Sequence, residues 1–132
     1  DFETFMQPVM QFDKGYCRPE CTACSDVCPV GAIKPLDTGE KSVIQIGLAV
    51  VNRDACISAS EGVNCGNCSR HCPSDAIVMI PVDADDDNGN KMPVVNESLC
   101  IGCGACENLC PVSPVSAIHV EGRMTHTQVR TA

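Results

Sequence analysis

Three runs of cysteine constrain this chain of 132 residues more than any other feature of its sequence. Each run holds four cysteines, of which the last three are spaced C-x2-C-x3-C and are followed directly by proline. The fourth cysteine of one run and the first of the next are 28 positions apart in both cases, from 28 to 56 and from 72 to 100. Such a repeat predicts one kind of site built three times. The twelve residues are Cys17, Cys21, Cys24, Cys28, Cys56, Cys65, Cys68, Cys72, Cys100, Cys103, Cys106 and Cys110.

The runs differ only between their first and second cysteines. Motif one (17–33) has three residues there, motif two (56–77) has eight, and motif three (100–118) has two. Motif three therefore reads C-x2-C-x2-C-x3-C-P, the run that binds iron–sulfur clusters in bacterial ferredoxins. A longer first loop is compatible with the same site, because only the route of the connecting chain changes.

Disulfides and zinc are the two alternatives for a chain so rich in cysteine. Cysteines two or three residues apart pair poorly in a disulfide, and a disulfide framework seldom repeats one local spacing three times. Structural zinc sites usually combine two well-separated cysteine pairs, often with histidine. Motif three packs three cysteines into seven residues, and motifs one and two pack three into eight, so both alternatives are disfavoured.

A cubane 4Fe–4S cluster has four irons, and each needs one outside ligand, for which cysteine thiolate is the soft donor. Three closely spaced cysteines can take three corners, while the fourth, ahead of proline, ligates the neighbouring cluster in two-cluster ferredoxins. We expect all twelve cysteines to be ligands and three clusters to be bound. No cysteine is left over for another role.

Three is an odd number for motifs that exchange their fourth cysteines in pairs. Motifs two and three could form the pair, with motif one extra. Alternatively motifs one and two pair, and motif three awaits a motif that precedes Asp1 in a longer chain, in which case this chain would hold only two clusters well. The equal gaps do not decide between these arrangements.

The cluster units are expected to follow the plan of strand, cysteine loop, short helix and strand. Apolar runs at 43–51, 76–80 and 92–96 predict strands, Gly47 predicts a bulge or a close approach of backbone, and Asn88-Gly89 predicts a two-residue hairpin turn. We expect residues 17–121 to form the cluster-binding domain and 122–132 a flexible tail.

Aromatic residues occur only in the first sixteen positions, which we treat as an apolar segment (1–16). Everything after them must build its interior from aliphatic side chains and cysteine, so the clusters are expected to organise the core. The segment either packs on a neighbour outside this chain or covers the first cluster. Its large apolar residues are Phe2, Phe5, Met6, Val9, Met10, Phe12 and Tyr16.

The formal net charge of −8 disfavours nucleic acid and anionic membranes as partners and favours basic docking surfaces on redox proteins. No apolar run of 18 residues is present, so the sequence predicts no transmembrane helix. We find no phosphate loop, nucleophile motif or histidine-rich metal site. The chain is therefore expected to be an electron carrier or a subunit of an oxidoreductase, without a small-molecule substrate or catalytic residues of its own.

With these motifs, the sequence resembles bacterial polyferredoxins, in particular the ferredoxin-type proteins that accompany periplasmic nitrate reductase and methylamine dehydrogenase. The resemblance rests on Gly15–Cys17, on the run from Gly47 to Cys56 with its long loop, and on 93–107. It implies an α+β, ferredoxin-like fold of the bacterial two-cluster type with an additional cluster unit. It also implies one-electron transfer from a donor module, membrane-associated and quinol-oxidising in some relatives, to a partner oxidoreductase.

Two further expectations remain open at the level of sequence. An iron–sulfur module that senses redox state or stabilises a larger protein is the alternative function, although no basic recognition helix supports it. Arg70 and His71, next to Cys72, either tune a cluster or are solvated surface residues. The compartment is left open between the cytoplasm and a membrane-associated or periplasmic position.

Overall fold

A computed structural model describes residues 8–86 and 89–129. Within this range the chain forms one-turn helices and short strands, and none of the helices is long and apolar enough to cross a bilayer. In chain order the elements are α1 (Ala23–Asp26), α2 (Thr38–Lys41), β1 (Ile44–Val51), α3 (Ile57–Ser60), α4 (Asn67–Arg70), β2 (Ile77–Pro81), β3 (Lys91–Val95), α5 (Ala105–Asn108) and β4 (Ile118–Gln128).

Each cysteine motif contains one short helix at the predicted place. Helices α1, α4 and α5 carry the third cysteines, Cys24, Cys68 and Cys106, and each ends before the fourth. Proline directly after the fourth cysteine cannot continue a helix, because it lacks a backbone N–H and clashes with the preceding turn. The prediction of a short helix around each C-x3-C spacing is confirmed.

Helix α2 lies between motif one and strand β1. The Asp37 carboxylate accepts a hydrogen bond from the Glu40 N–H at 2.7 Å, and the Glu40 carboxylate accepts one from the Asp37 N–H at 3.2 Å. This reciprocal capping box satisfies amides that a helix start would otherwise leave unpaired. It fixes one helical turn immediately before β1.

Two antiparallel strand pairs connect motifs two and three. Strand β1, which enters motif two, pairs with β4, which leaves motif three, with Val51 opposite Ile118. Strand β2, which leaves motif two, pairs with β3, which enters motif three, with Ile77 opposite Val95. Each pair therefore ties the entry of one motif to the exit of the other, which brings the two cysteine loops together.

The predicted irregularity at Gly47 is present in β1. The register with β4 shifts between Gln45 and Gly47, and a Cβ at Gly47 would lie 2.7 Å from the carbonyl oxygen of Glu121. Gly102, just after the first cysteine of motif three, also lies against the Gly47 backbone. The missing side chain thus lets a strand and a cysteine loop approach closely.

The structure differs from the flexible tail expected at 122–132. Residues 122–128 continue strand β4, with Gly122 opposite Gly47 and Gln128 opposite Ile44. The side chains of 121–128 are all exposed, so no alternation of apolar and polar residues marks the strand. Its backbone hydrogen bonds to β1 do not need that alternation. Residues 130–132 lie outside the described range.

The predicted hairpin between motifs two and three is present, but its loop is longer than two residues. Pro81 pairs with Lys91, and the Val82 N–H donates to the Asn90 carbonyl at 2.7 Å. A two-residue turn at Asn88-Gly89 would require a different register, so that prediction is wrong. Asp87 and Asn88 themselves lie outside the described residues.

In the described part of the N-terminal segment, Phe12 contacts motif three. Phe12 is buried, its ring occupies the space beside Gly104, and its carbonyl accepts a hydrogen bond from the Asn108 side chain at 2.7 Å. Val9 and Met10 are exposed. Phe2, Phe5 and Met6 fall outside the described residues, so the expectation for them stays a prediction.

The core is small and lies between motifs two and three. Its buried members are small or aliphatic side chains together with two cysteines of motif three, as the lack of aromatics predicted, and the partly buried Cys68 and Cys72 of motif two pack against them. The buried members are Ala49, Ala76, Ile77, Cys100, Cys106 and Ile118.

Ile118→Ala should test the contribution of this core. The side chain is only 2% exposed, so its truncation should lower the free energy of unfolding by about 2–5 kcal/mol through lost burial and a residual cavity. Anaerobic urea unfolding of the cluster-loaded protein measures the change. Met124→Ala, at a residue that is 98% exposed, is the control and should change stability by less than about 0.5 kcal/mol.

Candidate iron–sulfur centres

Four cysteines from two motifs line one apolar cavity, which we call site A. Cys56, Cys65 and Cys68 come from motif two, and Cys110 is the last cysteine of motif three. The space free of protein atoms in this cavity and at its open mouth is about 380 Å³. Its other walls include Val51, Ile57, Met79, Pro93 and Ile118.

A second set, site B, has the reciprocal composition. Cys100, Cys103 and Cys106 of motif three line a cavity of about 290 Å³ together with Cys72, the last cysteine of motif two. Its apolar walls include Ala49, Ile77, Ile101 and Val120.

In each of the two sites, the fourth cysteine comes from the other motif. Of the two arrangements that the equal gaps left open, the structure has the one in which motifs two and three pair and motif one is extra. The strand pairs β1–β4 and β2–β3 explain why, because they fix the exit of each motif beside the entry of the other.

Glycines in the left-handed conformation shape the cysteine loops of both sites. Gly66 and Gly104 follow the second cysteines and begin α4 and α5 at φ of +78° and +82°. Gly102, at φ +76°, directly precedes the second cysteine of motif three. A Cβ there would lie 2.5 Å from the backbone nitrogen of Gly47. Residues with side chains rarely adopt this conformation, so the loops depend on glycine.

Backbone N–H groups after the fourth cysteine face sulfur in motifs one and two. The Ala76 N–H donates to Cys72 Sγ at 3.3 Å. In motif one, the backbone amides of residues 30–33, that of Ile33 most, lower the pKa of the Cys28 thiol. Hydrogen bonds to the charged form favour thiolate, which is the form that binds metal.

Burial has the opposite effect on the thiols of sites A and B. The pKa is raised to about 11 for Cys68, to about 11 for Cys103 and to about 12 for Cys106, mainly by removal from water and in smaller part by neighbouring thiolates. Four thiolates in one apolar cavity are therefore unfavourable unless positive charge accompanies them.

These cavities fit a multi-iron cluster. All twelve cysteines are free thiols, and among the described residues no three Cys, His, Asp or Glu side chains converge on a point that a single metal ion could occupy. The thiols of each site instead surround a volume. Irons in a cluster each take one thiolate and supply the positive charge that the buried sulfurs lack.

Motif one lies at the surface beside site B. The Cys17 N–H donates to the Cys103 carbonyl at 2.8 Å, and Cys17 packs against Ile101 and Cys103. Cys21 and Cys24 are exposed, whereas the three cysteines that motif three gives to site B are buried. The cysteines of motifs two and three are thus buried or half-buried, whereas motif one exposes Cys21 and Cys24 to solvent.

A model of the family described as a 4Fe-4S dicluster domain matches residues 16–76 and 63–113. Together these matches span all three motifs. This chain belongs to that family. The resemblance inferred from the motifs is confirmed, and the short helices and strands are those of a small 4Fe–4S ferredoxin-type domain.

Curated relatives of this chain are ferredoxin-type proteins. It is 35% identical over 101 residues to the methylamine utilization ferredoxin-type protein MauM of Methylobacillus flagellatus, covering 70% of this chain and 42% of the relative. It is 34% identical over 111 residues to the ferredoxin-type protein NapF of Escherichia coli, covering 83% and 60%. The ferredoxin-type protein NapG of Escherichia coli is 34% identical over 94 residues, covering 66% and 39%. The chain thus spans between two fifths and three fifths of these relatives.

The sequence did not identify Gln45 of strand β1, whose side chain supports the start of motif three. Its side chain is 4% exposed, and its Nε2 donates to the carbonyls of Glu97 at 2.9 Å and Cys100 at 2.6 Å. A buried amide held by the backbone of a ligand loop fixes that loop. A glutamine within an apolar strand run was the only signal in the sequence.

The two residues suspected of tuning motif two differ in their contacts. Arg70 donates to the Cys65 carbonyl at 2.6 Å and to Asn67 Oδ1 at 2.5 Å. The His71 ring is exposed, and its Nδ1 lies 2.9 Å from the Asn67 carbonyl of its own helix. Arg70 therefore contacts a cysteine loop directly, and His71 does not.

Gly102→Ala should prevent assembly of site B. The new methyl group would meet the Gly47 backbone at 2.5–2.6 Å, and φ +76° is unfavourable for alanine. We expect iron content to fall by more than a third after anaerobic reconstitution. Gly15→Ala, where a Cβ meets nothing within 4 Å, is the matched control and should bind iron like the wild type.

Thiol chemistry of the metal-free protein should separate Cys28 from Cys106. In the reduced folded protein, alkylation of Cys28 should reach half its maximal rate below pH 9.0, and that of Cys106 only near pH 12, because thiolate is the reactive form. Mass spectrometry of labelled peptides against pH measures both. The difference should vanish in urea, and its absence without urea would contradict the site geometry.

Proposed function

We propose that this chain relays single electrons through three 4Fe–4S clusters held by its twelve cysteines. Such a cluster, when bound, accepts and releases one electron at a potential set by its charge, hydrogen bonds and exposure. The observation that carries the proposal is the reciprocal sharing of fourth cysteines by sites A and B. Residues 17–121 form the functional domain in this proposal.

The cysteine groups form a row with site B in the middle. Cys17 of motif one is hydrogen bonded to Cys103 of site B, and Cys68 of site A lies close enough to Cys106 of site B for its charge to raise the pKa of Cys106. Sites A and B have apolar walls, and motif one lies beside site B at the surface. Motif one, which is exposed, is one end of the row and offers an entry or exit for electrons.

We further propose a ferredoxin-like fold of the bacterial two-cluster type for the paired motifs, with motif one as an additional unit. Support comes from the two strand pairs, each joining the entry of one motif to the exit of the other, and from the one-turn helices that begin at Gly66 and Gly104. The twofold repetition of these parts is what exchange of fourth cysteines requires.

Partners in this proposal are a donor module and an acceptor oxidoreductase with basic docking surfaces. The acidic balance of the chain, −8 before any cluster is bound, favours such surfaces. The relatives are named for methylamine utilization or as ferredoxin-type proteins, and some donor modules of this kind are membrane-bound and oxidise quinol. We propose the same division of roles here, without a substrate bound by this chain.

Iron counting tests the number of clusters. Anaerobically reconstituted protein should contain about twelve irons and twelve sulfides per chain, since each of three clusters holds four of each. Dithionite reduction should produce interacting EPR signals from neighbouring clusters. About eight irons would show that motif one remains empty in this chain and would contradict the proposal of three clusters.

Exchange of the fourth cysteine makes a sharper prediction. Cys110→Ser should alter the EPR signal that Cys68→Ser also alters, and leave the signal altered by Cys103→Ser, because Cys110 lines site A although it belongs to motif three. Cys72→Ser should give the reciprocal result at site B. If each substitution affected the cluster of its own motif, the proposed ligand sets would be wrong.

A further inference from the structure

The carbonyl of the second cysteine accepts a hydrogen bond in all three motifs, but the donor differs. In motif one the donor is the Lys41 ammonium, which binds the carbonyls of Cys21 and, at 2.6 Å, Arg18. In motif two it is the Arg70 guanidinium, 2.6 Å from the Cys65 carbonyl. In motif three the Cys103 carbonyl accepts from the Cys17 backbone N–H at 2.8 Å.

The side-chain cations occur where the first loop is enlarged. Motif one has three residues and motif two has eight between the first and second cysteines, against two in motif three. Extra residues give a loop more conformations to lose when the second cysteine is fixed. A hydrogen bond from a charged donor to that cysteine's backbone restrains the end of the loop, and such bonds contribute more than neutral ones.

Both cations are held in place by short helices. Lys41 is the last residue of α2, whose capping box of Asp37 and Glu40 fixes the turn. Arg70 is the last residue of α4, and its second contact, to Asn67 Oδ1 at 2.5 Å, orients the guanidinium. The two residues therefore reach equivalent carbonyls from unrelated positions in the sequence.

We propose that Lys41 and Arg70 are equivalent positioning residues, Lys41 for the motif-one cluster and Arg70 for the site A cluster. This inference rests on the proposed function. Each residue closes an enlarged loop and places a positive charge beside the second cysteine. Reduction makes a cluster one charge more negative, so a nearby cation stabilises the reduced state and raises the reduction potential.

Reciprocal substitutions test the inference, because each residue is the control for the other. Lys41→Met should lower the potential of the motif-one cluster and speed its iron release to a chelator about tenfold, as expected for the loss of one charged hydrogen bond. Arg70→Met should do the same to site A only. Cys24→Ser and Cys68→Ser assign the EPR signals, and redox titration followed by EPR gives each potential.

Conservative variants separate charge from the hydrogen bond. Lys41→Arg and Arg70→Lys should restore potential and iron retention, whereas Lys41→Gln keeps a donor and should restore retention but leave the potential low. Lys34→Met removes a charge from the same unit away from the Cys21 carbonyl and should shift the motif-one potential less than Lys41→Met.

The outcomes distinguish the inference from the function on which it rests. About twelve irons with potentials and release rates unchanged in Lys41→Met and Arg70→Met would overturn the inference and leave the relay intact. About eight irons in the wild type would contradict the three-cluster proposal and the role of Lys41 together. A shift of every cluster by either substitution would show general destabilisation and would overturn the assignment of each cation to one cluster.

Discussion

The rest of this structure depends on one constraint: cysteine sulfurs from two separate motifs are buried together. Sites A and B each take three cysteines from one motif and one from the other, so neither can form until motifs two and three meet. The strand pairs, the left-handed glycines and the small aliphatic core all serve that meeting. A chain with so few aromatic residues has little other interior, and cysteines form much of the core themselves.

Burial divides the three motifs into two environments. In sites A and B, loss of water raises the pKa of several thiols, so thiolate there needs positive charge from bound iron. In motif one, exposed cysteines and the amides around Cys28 favour thiolate without that help. Because exposure and hydrogen bonding set the potential of a cluster, the motifs are suited to different positions in an electron path.

The cations at the enlarged loops connect this chemistry to the fold. In the two motifs with an enlarged first loop, a side-chain cation binds the carbonyl of the second cysteine, Lys41 in one case and Arg70 in the other. In motif three the loop is short, and the backbone of Cys17 suffices while also joining motif one to site B. Loop length, cation and proximity of the motifs are therefore parts of one arrangement.

The local parts of this protein could be read from the sequence. The cysteine set, the helix around each C-x3-C spacing, the strands at 44–51, 77–81 and 91–95 and the irregularity at Gly47 all follow from contacts within a few residues, which spacing, proline and glycine specify. The pairing of motifs could not be read from the sequence, because equal gaps give either pair the same loop-closure cost. The part of strand β4 after residue 121 was not predicted, because its exposed side chains show no alternation of apolar and polar residues. Gln45, Lys41 and Arg70 act on backbone carbonyls, which every residue possesses, so no pattern of residue types marks their partners. Only the tertiary structure, by bringing distant backbone beside each cysteine, decided which sulfurs share a site and which side chains hold them there.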